Sequence, residues 1–186
     1  MKIGVYVGSF DPVHKGHIKI VNYVIDNYLD KVIIVPTCDY WNKKLKSSLI
    51  DRINMLKLFE SDNIIIDTEN NNLRYTYMIL DSLSKKYSND EIFLIIGADC
   101  IIKFDEWMKY KKLLEYGIII INRDEIDVKY YLDKLGKKDK YIITEELKDI
   151  NISSSEIRNN IYNEYILSTM IDKKVYEYIT NNNLYK

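Results

Sequence analysis

The chain has 186 residues, of which 47% are apolar and 30% charged, and it contains only two prolines and six glycines. A chain of this length buries roughly 70% of the surface that its unfolded form exposes, which supports a core without disulfides. The formal net charge of −1 excludes a bulk electrostatic attraction to nucleic acid or to a membrane surface. We therefore expect a single domain over residues 1–186, with no nucleic-acid or membrane partner.

The cysteines and the amino-terminal run indicate where the protein acts. Cys38 and Cys100 lie far apart and form no C-x-x-C pair, which favours reduced thiols over a disulfide scaffold. The opening run, MKIGVYVGSF, reaches polar residues too soon for a signal peptide or a membrane-spanning helix. We therefore predict a cytoplasmic location.

Six apolar runs rich in β-branched residues are spread along the chain, and stretches with helical periodicity separate them. Each run is continuous rather than alternating, which is typical of strands buried on both faces of a parallel sheet. The alternation of strands and helices predicts an α/β fold with a doubly wound parallel sheet. The runs cover residues 3–7, 31–36, 63–67, 91–97, 117–122 and 140–144, and the intervening periodicity predicts helices over 16–30, 49–61, 74–87 and 100–116.

The last part of the chain differs, because it is helical from about Ser153 onward and has no linker before it. We expect an α/β core over residues 1–150 and a helical segment over 151–186 that packs on it. In open α/β sheets, ligands bind outside the carboxyl ends of the strands. Candidate functional residues are therefore expected in the loops that follow the strands.

The first of these loops carries both histidines of the chain, in the stretch GSFDPVHKGH at residues 8–17. A strand ends at Gly8 and a helix begins near Lys15, so His14 and His17 lie at the start of that helix. A helix amino terminus offers unpaired N–H groups and a partial positive charge, which attract phosphate. Two imidazoles there can donate further hydrogen bonds to phosphate oxygens, and we interpret the turn as a phosphate site.

Two other interpretations of these histidines stay open at this point. One is that they only cap the helix and fill the turn. The other is a metal site, since Asp11, His14 and His17 form the pattern D-x-x-H-x-x-H, although no further Cys, His or clustered carboxylate completes a ligand set. Neither G-x-G-x-x-G nor G-x-x-x-x-G-K-[ST] occurs in the turn, which disfavours dinucleotide redox chemistry and P-loop chemistry.

The turn resembles the signature G-x-F-D-P-x-H-x-G-H of the nucleotidyltransferases, in which an H-x-G-H element binds the phosphates of ATP. Three later features resemble the nicotinate-nucleotide adenylyltransferase family: IIGAD at 95–99, Trp107 eight residues after it, and ISSSEIR at 152–158. Phosphopantetheine adenylyltransferase shares the first motif but not the later set. The resemblance covers the whole chain and implies a Rossmann-like nucleotidyltransferase fold with C-terminal helices.

The ISSSEIR stretch predicts a helix start by itself, because Ser153 and Glu156 form a capping-box pattern. Arg158 lies one turn on, near a helix end that does not favour a cation, which suggests an anionic partner. The resemblance implies that this helix contacts the β- and γ-phosphates of ATP and that His14, His17 and Arg158 are catalytic. It also implies a set of ATP contacts, from Gly8, Ser9, Phe10, Gly16, Gly97, Asp99, Ser154 and Ser155.

Several of the predicted site residues look ordinary in the sequence, among them those of the acceptor side. From their positions alone, Asp99 is as good a helix N-cap as a ligand, Trp107 is a core residue and Thr76 is an ordinary helix residue. The resemblance implies instead that Trp107 stacks on the pyridine ring of the mononucleotide and that Thr76 and Lys43 help to bind it. The loop departs from the family, since TCDYWNKK replaces the usual P-P-H-K and puts Asn42 and Lys43 at the His-Lys positions.

The resemblance implies that ATP and nicotinate mononucleotide are the partners and that Mg²⁺ is bound through the ATP phosphates rather than by a protein metal site. The expected reaction is adenylyl transfer to the mononucleotide, which gives deamido-NAD and pyrophosphate in NAD biosynthesis. Three alternatives stay open: a sibling enzyme for nicotinamide mononucleotide or phosphopantetheine, a non-catalytic nucleotide-binding module, and a metal-binding protein. The sequence also leaves homo-oligomerisation open.

Overall fold

A parallel sheet forms the centre of the computed structural model, which describes residues 1–38, 45–122, 126–145, 147, 150 and 152–186. Its strands are β1 (Lys2–Gly8), β2 (Lys31–Pro36), β3 (Ile64–Ile66), β4 (Glu91–Gly97), β5 (Gly117–Ile121) and β6 (Tyr141–Ile143). They form one six-stranded sheet in the order β3-β2-β1-β4-β5-β6, in which every neighbouring pair is parallel. The doubly wound α/β fold predicted from the apolar runs is confirmed.

The continuous apolar character of the strands follows from burial on both faces of the sheet. Successive residues of β2 alternate between two cores: Val32 and Ile34 pack on one face, whereas Ile33 and Val35 pack on the other. All four side chains are at most 1% exposed. Neither face of the strand therefore has a position for a polar residue.

Helices cover both faces of the sheet. They are α1 (Lys15–Asn27), α2 (Leu49–Lys57), α3 (Thr76–Lys86), α4 (Ala98–Ile101), α5 (Tyr110–Leu113), α6 (Val128–Leu135), α7 (Ser154–Asn159), α8 (Glu164–Met170) and α9 (Lys173–Asn181). Apolar residues of α1, α2 and α7–α9 belong to one core, and those of α3–α6 to the other. Within the described ranges, none of the helices is both long enough and apolar enough to cross a membrane.

The single helix expected over 100–116 is wrong, because this stretch is broken into α4, a 3₁₀ turn at Phe104–Glu106 and α5. Trp107 has extended backbone angles, and Lys109 is left-handed with a φ of 54°. The breaks let Phe104 and Leu113, both fully buried, reach the core from separate pieces of chain. Tertiary burial thus overrides the helical periodicity of the sequence.

The sheet order makes the carboxyl ends of β1 and β4 the expected place for a ligand. From β1 the chain winds outward through β2 to β3, and then returns to the other side of β1 to form β4, β5 and β6. Ligands of doubly wound folds bind where the winding direction reverses in this way. Gly8 ends β1 and Gly97 ends β4. These two of the predicted ATP contacts therefore lie where the winding direction reverses.

The predicted start of the ISSSEIR helix is also confirmed. Ser153 occupies the N-cap position of α7, and its hydroxyl accepts a hydrogen bond from the backbone N–H of Glu156 at 3.1 Å. Ile157 of the same helix is fully buried in the core that contains α1. Capping fixes where α7 begins, and the burial of Ile157 packs α7 against the face of the sheet that α1 also covers.

Candidate active site

The β1–α1 turn, residues 9–14, leads from the end of β1 to the amino terminus of α1. His14 occupies the N-cap position, and its Nδ1 accepts a hydrogen bond from the backbone N–H of His17 at 3.4 Å. In return, Nδ1 of His17 accepts from the backbone N–H of His14 at 3.3 Å. The two histidines thereby form a reciprocal capping box, a role that Ser or Thr usually fills together with Glu or Gln.

The two imidazole rings stack on each other, with centroids 3.5 Å apart and planes inclined by 24°. Because Nδ1 of each ring accepts a backbone N–H, the neutral ring carries its proton on Nε2. Each ring therefore offers an Nε2–H donor at a helix amino terminus, which by itself favours anions. Helix capping and the predicted phosphate binding are compatible in this geometry, because capping uses Nδ1 of each ring and phosphate binding would use Nε2.

Two glycines of the motif leave space that the turn requires. A Cβ atom on Gly16 would lie 3.0 Å from the carbonyl oxygen of Ile150 and 3.1 Å from Nδ1 of His14. A Cβ atom on Gly8 would lie 3.0 Å from the ring of Phe10. Larger residues at these positions would displace the capping histidine or the ring that packs below it.

Phe10 supports the histidines from the core. Its φ is 50°, in the left-handed region, and its side chain is 3% exposed. The ring packs edge-on against Tyr6 and against His17, with centroids 5.4 and 5.0 Å apart respectively. Burial of the ring leaves the backbone of Phe10 as the part available for the predicted contact with ATP.

Helix α7 meets the β1–α1 turn through two of its polar side chains. The hydroxyl of Ser154 donates to the carbonyl of Pro12 at 2.9 Å. Nη1 of Arg158 donates to the carbonyl of Asp11 at 2.6 Å, while its Nη2 donates to the hydroxyl of Ser155 at 3.0 Å. The fold thus brings together the two motifs that the sequence places about 140 residues apart.

Asp11 fixes the turn in place, a role that its position in the pattern D-x-x-H-x-x-H does not indicate. Its 3% exposed carboxylate accepts from the backbone N–H groups of Lys46 at 2.7 Å and Ser47 at 3.2 Å, and from the hydroxyls of Ser47 at 2.6 Å and Tyr185 at 2.8 Å. Burial opposes ionisation of this carboxyl, but the hydrogen bonds outweigh it and lower the pKa of Asp11. The charge of Arg158 acts in the same direction.

Arg52 is a second residue that the sequence reasoning missed. It lies on the apolar face of α2, is 1% exposed, and donates through Nη1 to the carbonyls of Ser9 at 2.7 Å and Thr37 at 2.6 Å. Ser9 follows β1 and Thr37 follows β2, so the buried guanidinium of Arg52 joins the loops at the carboxyl ends of two neighbouring strands. An arginine among the apolar positions of a helix was the signal that could have identified it.

The end of β4 supplies the predicted residues Gly97 and Asp99. Gly97 occupies the N-cap position of α4, and Asp99 is exposed in its first turn. The interpretation of Asp99 as the helix N-cap is therefore wrong. Both residues lie at the edge of the sheet next to the β1–α1 turn, because β4 pairs with β1.

The Trp107 cavity, about 440 Å³ in volume, brings together the two predicted acceptor residues Trp107 and Thr76. The half-buried Trp107 stacks on Phe104, with centroids 5.1 Å apart. The other lining residues include two cations and one carboxylate: Arg74, Lys103 and Glu106. The break in the predicted helix over 100–116 creates this wall, because Trp107 lies in the extended segment between the two helical pieces.

The remaining predictions concern metal ligands and the loop after β2. Within the described part of the chain, no three His, Cys, Asp or Glu side chains are grouped as a metal ligand set. The alternative metal ligands are Asp11, His14 and His17. The Asp11 carboxylate accepts N–H and O–H donors, and both Nδ1 atoms accept backbone N–H groups, so hydrogen bonds already use these atoms. Lys43 and the altered loop around Asn42 lie outside the described residues.

Comparison with known proteins shows similarity over the full length of the chain. The profile of the cytidylyltransferase-like family matches residues 5–160. A probable nicotinate-nucleotide adenylyltransferase of Borrelia garinii subsp. bavariensis is 34% identical over 195 residues, which cover 100% of this chain and 95% of that protein. A protein of the same name from Fusobacterium nucleatum is 36% identical over 183 residues, covering 94% and 95% of the two chains.

Solved structures show the same relationship. The nicotinic acid mononucleotide adenylyltransferase of Plasmodium falciparum, complexed with NaAD, superposes with a TM-score of 0.82 at 26% identity, covering 99% of this chain and 97% of that one. A second structure of the Plasmodium enzyme, complexed with APC, superposes with a TM-score of 0.80 at 25% identity. Both superpositions cover 99% of this chain.

Proposed function

The chain belongs to the cytidylyltransferase-like family, and within it to the nicotinate-nucleotide adenylyltransferases, and we propose that it transfers the adenylyl group of ATP to nicotinate mononucleotide. The products are deamido-NAD and pyrophosphate, and the reaction is a step of NAD biosynthesis. The observation that carries the proposal is the contact between residues 152–158 and residues 8–17: Ser154 and Arg158 donate hydrogen bonds to carbonyls of the β1–α1 turn. This turn lies where the winding direction of the sheet reverses.

The reaction needs alignment of two anions rather than an activated side chain. An oxygen of the mononucleotide 5′-phosphate attacks the α-phosphorus of ATP, and a P–O bond forms. The bond from the α-phosphorus to the bridging oxygen breaks, and pyrophosphate leaves with that electron pair. A phosphate monoester is already ionised at neutral pH, so no general base is required. Catalysis is then positioning and stabilisation of charge.

The β1–α1 turn is suited to the negative charge that this reaction brings together. We assign His14 and His17 the role of donating their Nε2–H groups to oxygens of the triphosphate. The capping box supports this role, because it holds both rings by Nδ1 and thereby fixes where Nε2 lies. Donors that need no rearrangement at the moment of reaction stabilise developing charge most effectively.

Helix α7 would bind the leaving end of the triphosphate. Arg158 carries a full positive charge next to the turn, and two of its five N–H donors fix its position on Asp11 and Ser155. Ser154 and Ser155 lie in the first turn of the same helix. Gly97 and Asp99, which follow the neighbouring strand β4, would lie along the nucleotide between the two substrate halves.

The Trp107 cavity would hold the pyridine ring of the acceptor. Trp107 packs face to face on Phe104. A flat heteroaromatic ligand can form the same kind of stacked contact with the indole ring of Trp107. Thr76 lines the same cavity. Arg74 and Lys103 outnumber Glu106 among its charged residues, and their excess of positive charge suits an acceptor that carries a carboxylate and a phosphate.

We further propose that Mg²⁺ accompanies ATP and is held through its phosphates. The polar groups gathered at the β1–α1 turn are imidazoles, hydroxyls, a guanidinium and backbone N–H groups, which match phosphate oxygens better than they match Mg²⁺. When bound, the ion would neutralise part of the triphosphate charge. Positioning of the triphosphate would still fall to His14, His17 and Arg158.

The decisive experiment compares acceptors. Purified protein is supplied with ATP and Mg²⁺, and pyrophosphate release is followed with nicotinate mononucleotide, nicotinamide mononucleotide or phosphopantetheine. We expect kcat/KM for nicotinate mononucleotide to exceed that for the other two by at least about tenfold, because a cavity matched to a carboxylate discriminates against an amide. A preference for either of the other two acceptors would contradict the proposal. So would a protein that binds ATP but releases no pyrophosphate with any of the three acceptors.

A further inference from the structure

Tyr185 reaches the β1–α1 turn from the segment that follows α9. Two backbone hydrogen bonds end that helix, from Asn183 N–H to the carbonyl of Thr180 and from Leu184 N–H to the carbonyl of Ile179. Asn183 and Tyr185 both have left-handed backbones, with φ of 52° and 64°. At Asn183 the left-handed angle belongs to the Schellman motif that these two hydrogen bonds form at the helix end. Tyr185 lies beyond that motif, and because left-handed angles are uncommon outside glycine, its backbone indicates that a contact elsewhere holds it in place.

The contact that holds it is a shared carboxylate. The hydroxyl of Tyr185 donates to Oδ1 of Asp11 at 2.8 Å and lies 2.9 Å from the hydroxyl oxygen of Ser47. Ser47 itself donates to the same Oδ1 at 2.6 Å, and the backbone N–H of Lys46 donates to Oδ2 at 2.7 Å. Three segments distant in sequence therefore meet at the carboxylate of Asp11.

We propose that Tyr185 is a positioning residue of the transferase, which acts through Asp11 to fix the β1–α1 turn and the segment that leads into α2. The inference rests on the proposed function, because it takes the turn to be the phosphate site. Burial raises the pKa of Tyr185, and the negative charge of Asp11 raises it further. The hydroxyl consequently keeps its proton and remains a donor.

The geometry explains why such a residue would matter for both substrates. On the ATP side, the carbonyl of Asp11 accepts from Arg158, so a shift of Asp11 would move the guanidinium as well. On the acceptor side, Ser47 lies shortly after the predicted mononucleotide residue Lys43 in the sequence. Arg52 holds Thr37, the residue after β2. The loop after β2 is therefore held at both ends: Arg52 holds Thr37, and the contact of Tyr185 with Asp11 and Ser47 holds the other end.

The test replaces one hydroxyl and uses a matched control. Tyr185→Phe removes the donor to Asp11 but keeps the ring. Tyr116→Phe removes an equivalent donor, since Tyr116 donates to Asp81 at 2.9 Å at a place remote from the turn. We expect kcat/KM for ATP to fall about tenfold in Y185F, because small misplacements of catalytic groups are costly, and to stay unchanged in Y116F. The free energy of unfolding of both variants is measured alongside.

The pH profile separates positioning from a purely structural role. Within the described residues, the charged group that faces the Asp11 carboxylate is Arg158, with the backbone of Lys46 and the hydroxyls of Ser47 and Tyr185 around it. The Tyr185 hydroxyl favours the ionised carboxylate, so its removal raises the pKa of Asp11. In the acid limb, kcat/KM should therefore fall further in Y185F than in Y116F at pH values where both variants stay folded. Urea unfolding at the same pH values is the control, because lower stability alone also raises the pH at which acid unfolding begins.

A double-mutant cycle and an exchange measurement complete the test. If Tyr185 acts through the Asp11 carboxylate, D11N/Y185F should be no slower than D11N. The amide protons of Lys46 and Ser47 should exchange faster in Y185F, a readout that needs no turnover. Active wild type with Y185F indistinguishable from Y116F in rate, acid limb and exchange would overturn this inference and leave the proposed function standing. Wild type that releases no pyrophosphate would overturn both.

Discussion

The β1–α1 turn and the wall of the Trp107 cavity are built in opposite ways. In the turn, carbonyls and a buried carboxylate accept hydrogen bonds from six distant residues: Lys46, Ser47, Arg52, Ser154, Arg158 and Tyr185. The cavity wall consists of short helical pieces and the segment between them, in which Met108 is 45% exposed and Trp107 is half-buried. The difference would match two demands of the proposed reaction: adenylyl transfer needs hydrogen-bond donors at fixed points, whereas binding a flat ring needs mainly contact area. Substitutions in the turn should therefore lower kcat, and substitutions in the wall should raise KM for the acceptor.

The largest expected effect tests the first half of this comparison. His17→Ala removes one Nε2–H donor at the proposed phosphate site, and we expect kcat for deamido-NAD synthesis to fall about 10²- to 10³-fold. The variant also loses half of the capping box, which should lower the free energy of unfolding by about 1 kcal/mol. Steady-state rates and urea unfolding measure the two effects separately.

The control for His17→Ala is a helix cap outside the site. Asn163 caps α8 through its side chain, which accepts from the backbone N–H of Ile166 at 3.1 Å. Asn163→Ala should lose similar stability and keep its kcat. Turnover close to wild type in a folded H17A protein would contradict the assignment of His17.

An intermediate effect tests the second half of the comparison. Trp107→Ala removes the stacking surface, and we expect KM for nicotinate mononucleotide to rise about tenfold, in line with the energy of aromatic pairs. Initial rates over a matrix of both substrate concentrations separate the two KM values. Met108→Ala, which changes another lining residue of the same cavity, should have a smaller effect. The distinction between the two regions fails if W107A lowers kcat while both KM values stay at their wild-type levels.

The smallest expected effect concerns a polar contact between α3 and α5 whose residues do not line the Trp107 cavity. Asp81 of α3 accepts hydrogen bonds from Lys112 of α5 and from Tyr116. Burial opposes ionisation of Asp81, but these two hydrogen bonds outweigh it and lower its pKa below the usual 3.8. A carboxyl whose pKa falls on folding stabilises the protein above its unfolded-state pKa, and the stabilisation disappears as the pH falls through its folded-state pKa.

Asp81→Asn should therefore reduce the free energy of unfolding at neutral pH by less than about 1 kcal/mol, because the Lys112 side chain is 41% exposed and solvent screens the pair. The deficit relative to wild type should shrink as the pH is lowered below 4, where the wild-type carboxyl becomes protonated. Urea unfolding at several pH values measures both. A deficit that is independent of pH would show that charge is not the source of the stabilisation.

The fold was predictable because its signals are local in the sequence. Continuous runs such as KVIIVP and GIIII identify strands that are buried on both faces, and the order of runs and helical stretches is enough to give a doubly wound sheet. The capping pattern at Ser153 likewise predicted where α7 begins. The helix expected over 100–116 failed because the burial of Phe104 and Leu113 in the core depends on neighbours that local periodicity does not encode.

The candidate site was predictable only in part, for the same reason. The spacing of His14 and His17 behind a strand indicated a phosphate site, and family resemblance supplied the roles that remain predictions for Arg158, Thr76 and Trp107. Arg52 and Tyr185 went unnoticed because their partners are the backbone carbonyls and the carboxylate of remote segments. Contacts between remote segments become visible only once the chain is folded.

The capping box of His14 and His17 has a consequence for the entropy of binding. A free imidazole samples several rotamers, and immobilising a side chain when a ligand binds costs about 0.5 to 1.5 kcal/mol. Here each ring is restrained by its own bond to the helix backbone and by stacking on the other ring. The disorder of both side chains is removed once, when α1 forms, so a triphosphate bound as proposed would meet rings that have little motion left to lose.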